Sequence, residues 1–147
     1  MGDIMRYVLA VLALAGAVVS ALALQVHYST AAEPCDINAH WDCGIVNHSP
    51  FAMMGKVPVA AVGILGYLAL LGLALLRRKF LLLLAVFAAF CFALRLTMIE
   101  EYVLEVWCLY CVISQGLISI MLLASLGWFG AEYEGLKRAA KANALKS

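Results

Sequence analysis

The feature that most constrains this chain is a series of apolar runs, each about 20 residues long and almost free of charge. Residues 7–26, 57–76 and 107–129 contain no Asp, Glu, Lys or Arg, and residues 80–99 contain only Arg95. Twenty residues of α-helix rise about 30 Å, the thickness of bilayer hydrocarbon. The chain has 147 residues, of which 66% are hydrophobic and 13% charged. That is more apolar surface than one small core can hide. A soluble enzyme, a disordered chain and a nucleic-acid binder are thereby excluded. The runs predict an all-α membrane protein, a four-transmembrane-helix bundle with spans at 7–26, 57–76, 80–99 and 107–129. A single helix from 80 to 129 would reach about 75 Å, so the chain must turn between the last two spans. Glu100, Glu101 and Glu105 mark the polar place for that turn.

Lys and Arg set the orientation. One side gathers Arg6, Arg77, Arg78, Lys79, Lys137, Arg138, Lys141 and Lys146; the other holds Lys56, with Arg95 inside a span near it. Both termini and the 77–79 turn are therefore expected in the cytoplasm. The loop of about residues 28–56 and the Glu-rich turn are expected outside. Residues 1–130 form the membrane domain in this reading, and 131–147 a basic cytoplasmic tail. The first run followed by Ser29, Thr30, Ala31 and Ala32 has some likeness to a cleaved secretory signal. Its apolar stretch is too long for one, which favours an uncleaved helix. Arg95 is expected to snorkel toward Glu100 or Glu101.

The five cysteines follow the same sidedness. Cys35 and Cys43 (C-x7-C) fall in the outer loop, and Cys108 and Cys111 (C-x2-C) at the outer start of the fourth helix. That is the side on which disulfides persist. Residues i and i+3 share a helix face, so Cys108 and Cys111 can bond to each other or alternate at one partner. A helix N-terminus favours thiolate, which suits exchange chemistry better than an inert staple. Cys91, amid Phe87, Phe90 and Phe92, reads as a buried packing thiol. His40 and His48 flank the loop cysteines, but the spacing fits no common zinc motif, and no metal is expected. In the loop, Ser49, Pro50 and Gly55 predict a short interfacial helix with Ser49 as cap and Phe51 and Met54 on its apolar face. Ala60, Gly63, Gly66 and Tyr67 give the second span a stripe of small residues. It serves close helix packing, room for a flat ring beside the thiols, or both.

The residues Cys35-Asp36, Trp41-Asp42-Cys43-Gly44-Ile45-Val46-Asn47, Ser49-Pro50-Phe51, Gly55-Lys56-Val57-Pro58-Val59, Gly63, Gly66-Tyr67 and Trp107-Cys108-Leu109-Tyr110-Cys111 together carry a resemblance. The pattern resembles the vitamin K epoxide reductase family, and more narrowly its bacterial homologues that oxidise thiols outside the cytoplasm. The resemblance implies a bundle holding a quinone, ubiquinone or menaquinone, beside the C-x2-C. Cys111 would face the quinone and Cys108 would accept electrons from the loop. Cys43 would relay them from Cys35, which exchanges with a thioredoxin-like protein. Ser49 matches the loop hydroxyl that the family keeps near the quinone. Helix phase adds Phe51, Val62 and Gln115 as candidate quinone contacts.

Two departures bear on the expected chemistry. Only a short polar segment follows the fourth span, so the thioredoxin-like partner is expected to be a separate periplasmic protein. Val59 stands where animal members place an amide, which fits a simple quinone better than an epoxide. The implied function is a thiol:quinone oxidoreductase of the bacterial inner membrane that supports disulfide formation. A quinone or quinone-epoxide reductase of the same fold, and a non-enzymatic membrane subunit with structural disulfides, are the alternatives.

Overall fold

The computed structural model describes residues 2–31 and 34–145. Ala32 of the cleavage-like segment, and Glu33 and Lys146 of the charge count, lie outside the described residues. Among the described residues five α-helices follow one another: α1 (Gly2–Tyr28), α2 (Cys43–His48), α3 (Val59–Leu75), α4 (Lys79–Ile99) and α5 (Leu109–Ala144). Among the described residues, α1, the stretch Lys79–Leu104 and α5 are long and apolar enough to cross a membrane. α3 is apolar too but has 17 residues. The second run is shortened because Val57 and Pro58 pair with Met53 and Met54 in a small antiparallel hairpin. Gly55 turns that hairpin at φ +66°, a conformation that glycine adopts without steric cost.

The helices surround a core of Leu9, Ala13, Tyr67, Leu70, Val86, Met121 and Trp128, among others. Large apolar residues also point outward: Val11, Leu65 and Leu123 are 65%, 66% and 71% exposed. Water would penalise such a surface, whereas lipid does not. Small residues join α1 to α3. A Cβ on Gly16 would stand 2.1 Å from the Tyr67 ring, so only glycine lets that ring lie against α1. A Cβ on Gly63 would stand 2.8 Å from Ser20 Oγ, whereas Gly66 has nothing within 4 Å. Gly63 and Gly66 both border a cavity. The stripe therefore packs helices at one point and leaves space at another.

Several expectations need correction. The α-helix of the loop is α2, starting at Cys43, and the turn expected after Ser49 is present but shorter. Only Pro50–Ala52 coil after it, as one 3-10 turn, before the hairpin draws Met53 and Met54 into extended backbone. Ser49 stands at the N-cap of that turn without a side-chain bond to it; its Oγ instead donates to the Val46 carbonyl at 2.8 Å and helps close α2. Cys91 is exposed on α4 and not buried. Arg95 is exposed as well and forms no ion pair with Glu100 or Glu101 among the described residues. The last helix begins at Leu109, two residues later than the apolar run, so Cys108 lies in the link before it. α5 has 36 residues, about 54 Å at 1.5 Å per residue, and continues through the basic segment without a break.

The turn between α4 and α5 contains neither Gly nor Pro. It is made by a π-helical turn, Glu100–Leu104, followed by Glu105 in the left-handed region at φ 54°. The wider π turn rotates Glu100 into the protein, where it is 3% exposed, while Glu101 and Glu105 stay exposed.

Candidate functional site

The site begins with a loop tied down by its own backbone. Asp42 caps α2, its carboxylate accepting from the Ile45 N–H at 2.8 Å. The flanking strand-like segment is stitched to the link before α5. The Trp107 N–H donates to the His40 carbonyl at 2.8 Å, and the Asp42 N–H donates to the Trp107 carbonyl at 3.1 Å. The Trp41 and Trp107 rings lie 6.2 Å apart. This tie fixes where both cysteine pairs sit. Cys43 is the first residue of α2, one position after Asp42, and Cys108 follows Trp107.

Cys35 and Cys43 are bonded as a disulfide. Cys108 and Cys111 carry free thiols. Cys35, Cys43 and Cys108 are buried in one cluster with Val26, Val46 and Val106, and Cys111 packs against its edge. Asn47, on α2, joins the two pairs: its Nδ2 donates to the Cys43 carbonyl at 2.9 Å and to Cys108 Sγ at 3.5 Å. His27 of α1 holds Asn47 from the other side through a ring-nitrogen contact with the Asn47 carbonyl. The His27 ring also stacks on His48 with centroids 6.0 Å apart. The sequence-predicted catalytic cysteines are thus brought together.

Cys108 occupies the N-cap position of α5 and Cys111 the third position inside. The Cys111 side chain hydrogen-bonds the Cys108 sulfur and holds its thiol below the ordinary range. Burial opposes this, and the free N–H groups of Tyr110 and Cys111 at the helix start support it. The buried Glu100 carboxylate accepts the Cys108 N–H at 3.1 Å.

Two cavities adjoin this cluster. The larger, about 340 Å³, lies among α1, α3, α4 and α5 and is walled by Val62, Gly63, Gly66, Phe92, Tyr110 and Ser114, among others. The smaller, about 50 Å³, lies under the loop between Asn47, Ser49, Phe51 and Glu100. Val59 and Ala60 border both. Of the expected quinone contacts, Val62 lines the larger cavity, and Ser49 and Phe51 the smaller. Cys111 and Gln115 line neither. They share one face of α5, while Tyr110, Ser114 and Ile118 present the neighbouring face to the larger cavity. The Gln115 Oε1 is buried with no hydrogen-bond partner among the described residues. The Tyr67 hydroxyl is satisfied by Ser114, at 3.0 Å from its carbonyl and 2.9 Å from its Oγ. The apolar walls and small residues of the larger cavity leave room for a flat ring one helix face away from the dithiol.

Sequence reasoning placed Glu100 in the turn and Asn47, Trp41 and Trp107 in the family pattern, but it gave none of them, nor His27, a role at the site. The Asp42 cap had a readable signal, an Asp ahead of a short apolar segment. Asn47 and Glu100 had none, because their roles depend on which way a turn faces.

A family model described as the vitamin K epoxide reductase family matches residues 7–126. No curated protein matches the sequence.

Proposed function

Given that the chain belongs to the vitamin K epoxide reductase family, we propose that it is a membrane thiol:quinone oxidoreductase that reoxidises a separate periplasmic thioredoxin-like protein. The observation that carries this reading is the burial of Cys43 and Cys108 in one cluster, with Asn47 bonded to both residues. In this reading residues 1–130 are a four-span membrane domain of a bacterial inner membrane, with α3 as the second span. Both termini and the basic segment 131–147 are cytoplasmic, and the cysteines face the periplasm.

A partner thiolate attacks Cys35 and forms a mixed disulfide as Cys43 leaves as a thiolate; the partner's second thiolate then breaks that mixed disulfide, so that the partner departs oxidised and Cys35 is a free thiolate. Cys43 attacks Cys108, the Cys43–Cys108 bond forms, and Cys111 is released. Cys35 then closes on Cys43, leaving Cys108 and Cys111 as the dithiol, the redox arrangement of this structure. The Asn47 N–H and the Cys111 side chain steady negative charge on Cys108 during these exchanges. Ubiquinone or menaquinone, when bound, supplies a downhill sink for two electrons and two protons. Its ring would sit in the larger cavity against Val62, Tyr67 and Ser114, with Ser49 and Phe51 bounding the adjoining smaller cavity and Cys111 and Gln115 on the neighbouring face of α5.

The test is quinone reduction by a reduced thioredoxin-like partner, with Cys111→Ala as the variant. Turnover should vanish, and undiminished turnover sinks the reading. Extraction of an isoprenoid quinone with the purified protein would support it independently. Reduction of a quinone epoxide in preference to the quinone would move the assignment to the alternative activity of this fold.

A further inference from the structure

Glu100 is a charged-type side chain where an uncharged one would suffice. It is 3% exposed, and its one backbone partner, the Cys108 N–H, could be accepted equally by an amide. A carboxylate shut away from water is costly unless something compensates it, and no cation pairs with it among the described residues. The Cys111 thiol, three residues on from Cys108 in the first turn of α5, is its second neighbour. Glu100 also borders the small cavity with Asn47 and Ser49. The carboxyl thus spans the dithiol and the space beneath the loop.

We propose that Glu100 is the proton donor and acceptor of Cys111. This rests on the exchange reading given above and adds a catalytic residue to it. When Cys43 attacks Cys108, the Cys43–Cys108 bond forms, the Cys108–Cys111 bond breaks, and the electron pair leaves on Cys111 Sγ. The Glu100 carboxyl gives its proton to that sulfur and becomes a carboxylate. When the dithiol is oxidised again, the Cys111 S–H bond breaks and its proton returns to Glu100. The Cys108–Cys111 bond forms, and two electrons pass to the acceptor, a quinone in the membrane or a small disulfide in the test below. The titratable groups facing Glu100 are the Cys108 and Cys111 thiols. The loop contributes uncharged Asn47 and Ser49, and Glu101 and Arg95 on its own side are exposed. Proton transfer by a positioned group is worth about 10²–10⁴-fold in rate.

The test uses quinone-free full-length protein in detergent, oxidised by glutathione disulfide. The infrared difference spectrum should gain the carbonyl band of a protonated carboxyl as the dithiol closes. Glu100→Gln, which keeps an acceptor for the Cys108 N–H, should lose that band and slow dithiol–disulfide exchange by at least about 10²-fold. Glu100→Asp should restore much of both. A band that survives in E100Q, or an E100Q exchange rate and pH profile equal to wild type, overturns the proposal. Where E100Q does not fold, the wild-type spectrum decides alone: oxidation without carboxyl protonation overturns it. A wild-type protein that shows the band yet reduces no quinone refutes the functional reading and leaves the role of Glu100 standing.

Discussion

The two ends of the bundle handle polarity in opposite ways. At the cysteine end Asn47, Ser49 and Glu100 are buried, and each finds its partner inside the protein. At the basic end the ion pairs are more open, that between Arg77 and Asp3 more so than that between Lys79 and Glu132. Arg77 pairs with Asp3 and Lys79 with Glu132, and the Arg77 and Asp3 side chains are 56% and 65% exposed. Buried polar groups cost free energy unless every one is satisfied, so they persist where chemistry or positioning needs them. Exposed ion pairs contribute about 0–1 kcal/mol. One end is thus built for reaction and the other for orientation in the bilayer.

The sharpest way to break this contrast is Asn47→Leu. It removes the side-chain N–H from the Cys43 carbonyl, which keeps its helix bond, and from the Cys108 sulfur, which is left without that donor. The expected loss is about 1–3 kcal/mol, read as a lower unfolding midpoint in detergent. Slower exchange between the cysteine pairs should accompany it.

A second test titrates Cys108 by its ultraviolet thiolate absorbance. Its folded pKa is lowered, chiefly by the Cys111 hydrogen bond. The thiolate therefore persists as pH falls below the ordinary thiol range, and the linked stability is present above the unfolded pKa. Both are lost only as pH falls through the lowered folded value. Cys111→Ala should move the titration upward, toward the ordinary thiol value, and narrow the pH range of exchange. An unchanged midpoint would show that Cys111 does not set the charge on Cys108.

The contrast between the ends also explains what could be read in advance. Apolar run length fixed the positions of the long helices, because a bilayer demands about 20 residues whatever the packing. The cysteine pairs were legible because their spacing carries chemical meaning. The inward or outward facing of a side chain was not. Cys91 amid phenylalanines looked buried, yet lipid is as apolar as a core and the hydrophobic pattern cannot separate them. α2 escaped notice because six residues, Cys43–His48, are held by the Asp42 cap, the disulfide and the Trp107 tie more than by their own propensity. Glu100, Glu101 and Glu105 looked alike in the chain. The π turn alone turns one of them inward.

That turn offers a third, smaller test at the cysteine end. Glu105 holds a left-handed conformation at φ 54°, which costs a non-glycine residue about 1–2 kcal/mol. Glu105→Gly removes that strain but frees the unfolded chain, for a net gain of about 0.5–1 kcal/mol. Its unfolding midpoint in detergent should rise modestly while exchange between the cysteine pairs stays as it was. A drop in stability would mean that the Glu105 side chain, and not its backbone, secures the turn.

The smallest effect is expected at the basic end. Arg77→Gln removes the pair with Asp3, whose side chains are both more than half exposed, and leaves Asp3 its 3.6 Å contact with Arg6. The loss should stay under about 0.5 kcal/mol and fade with added salt. Lys79 makes the informative companion, because its ammonium also sits 5.0 Å from the centre of the Trp128 ring and its side chain is only 25% exposed. Lys79→Ala should therefore cost more than Arg77→Gln, by about 0.5–1 kcal/mol from the lost cation–π contact, and that difference should survive salt better. If both variants lost as much stability as Asn47→Leu, the basic end would be a structural clamp in its own right, and the division between a reactive end and an orienting end would fail.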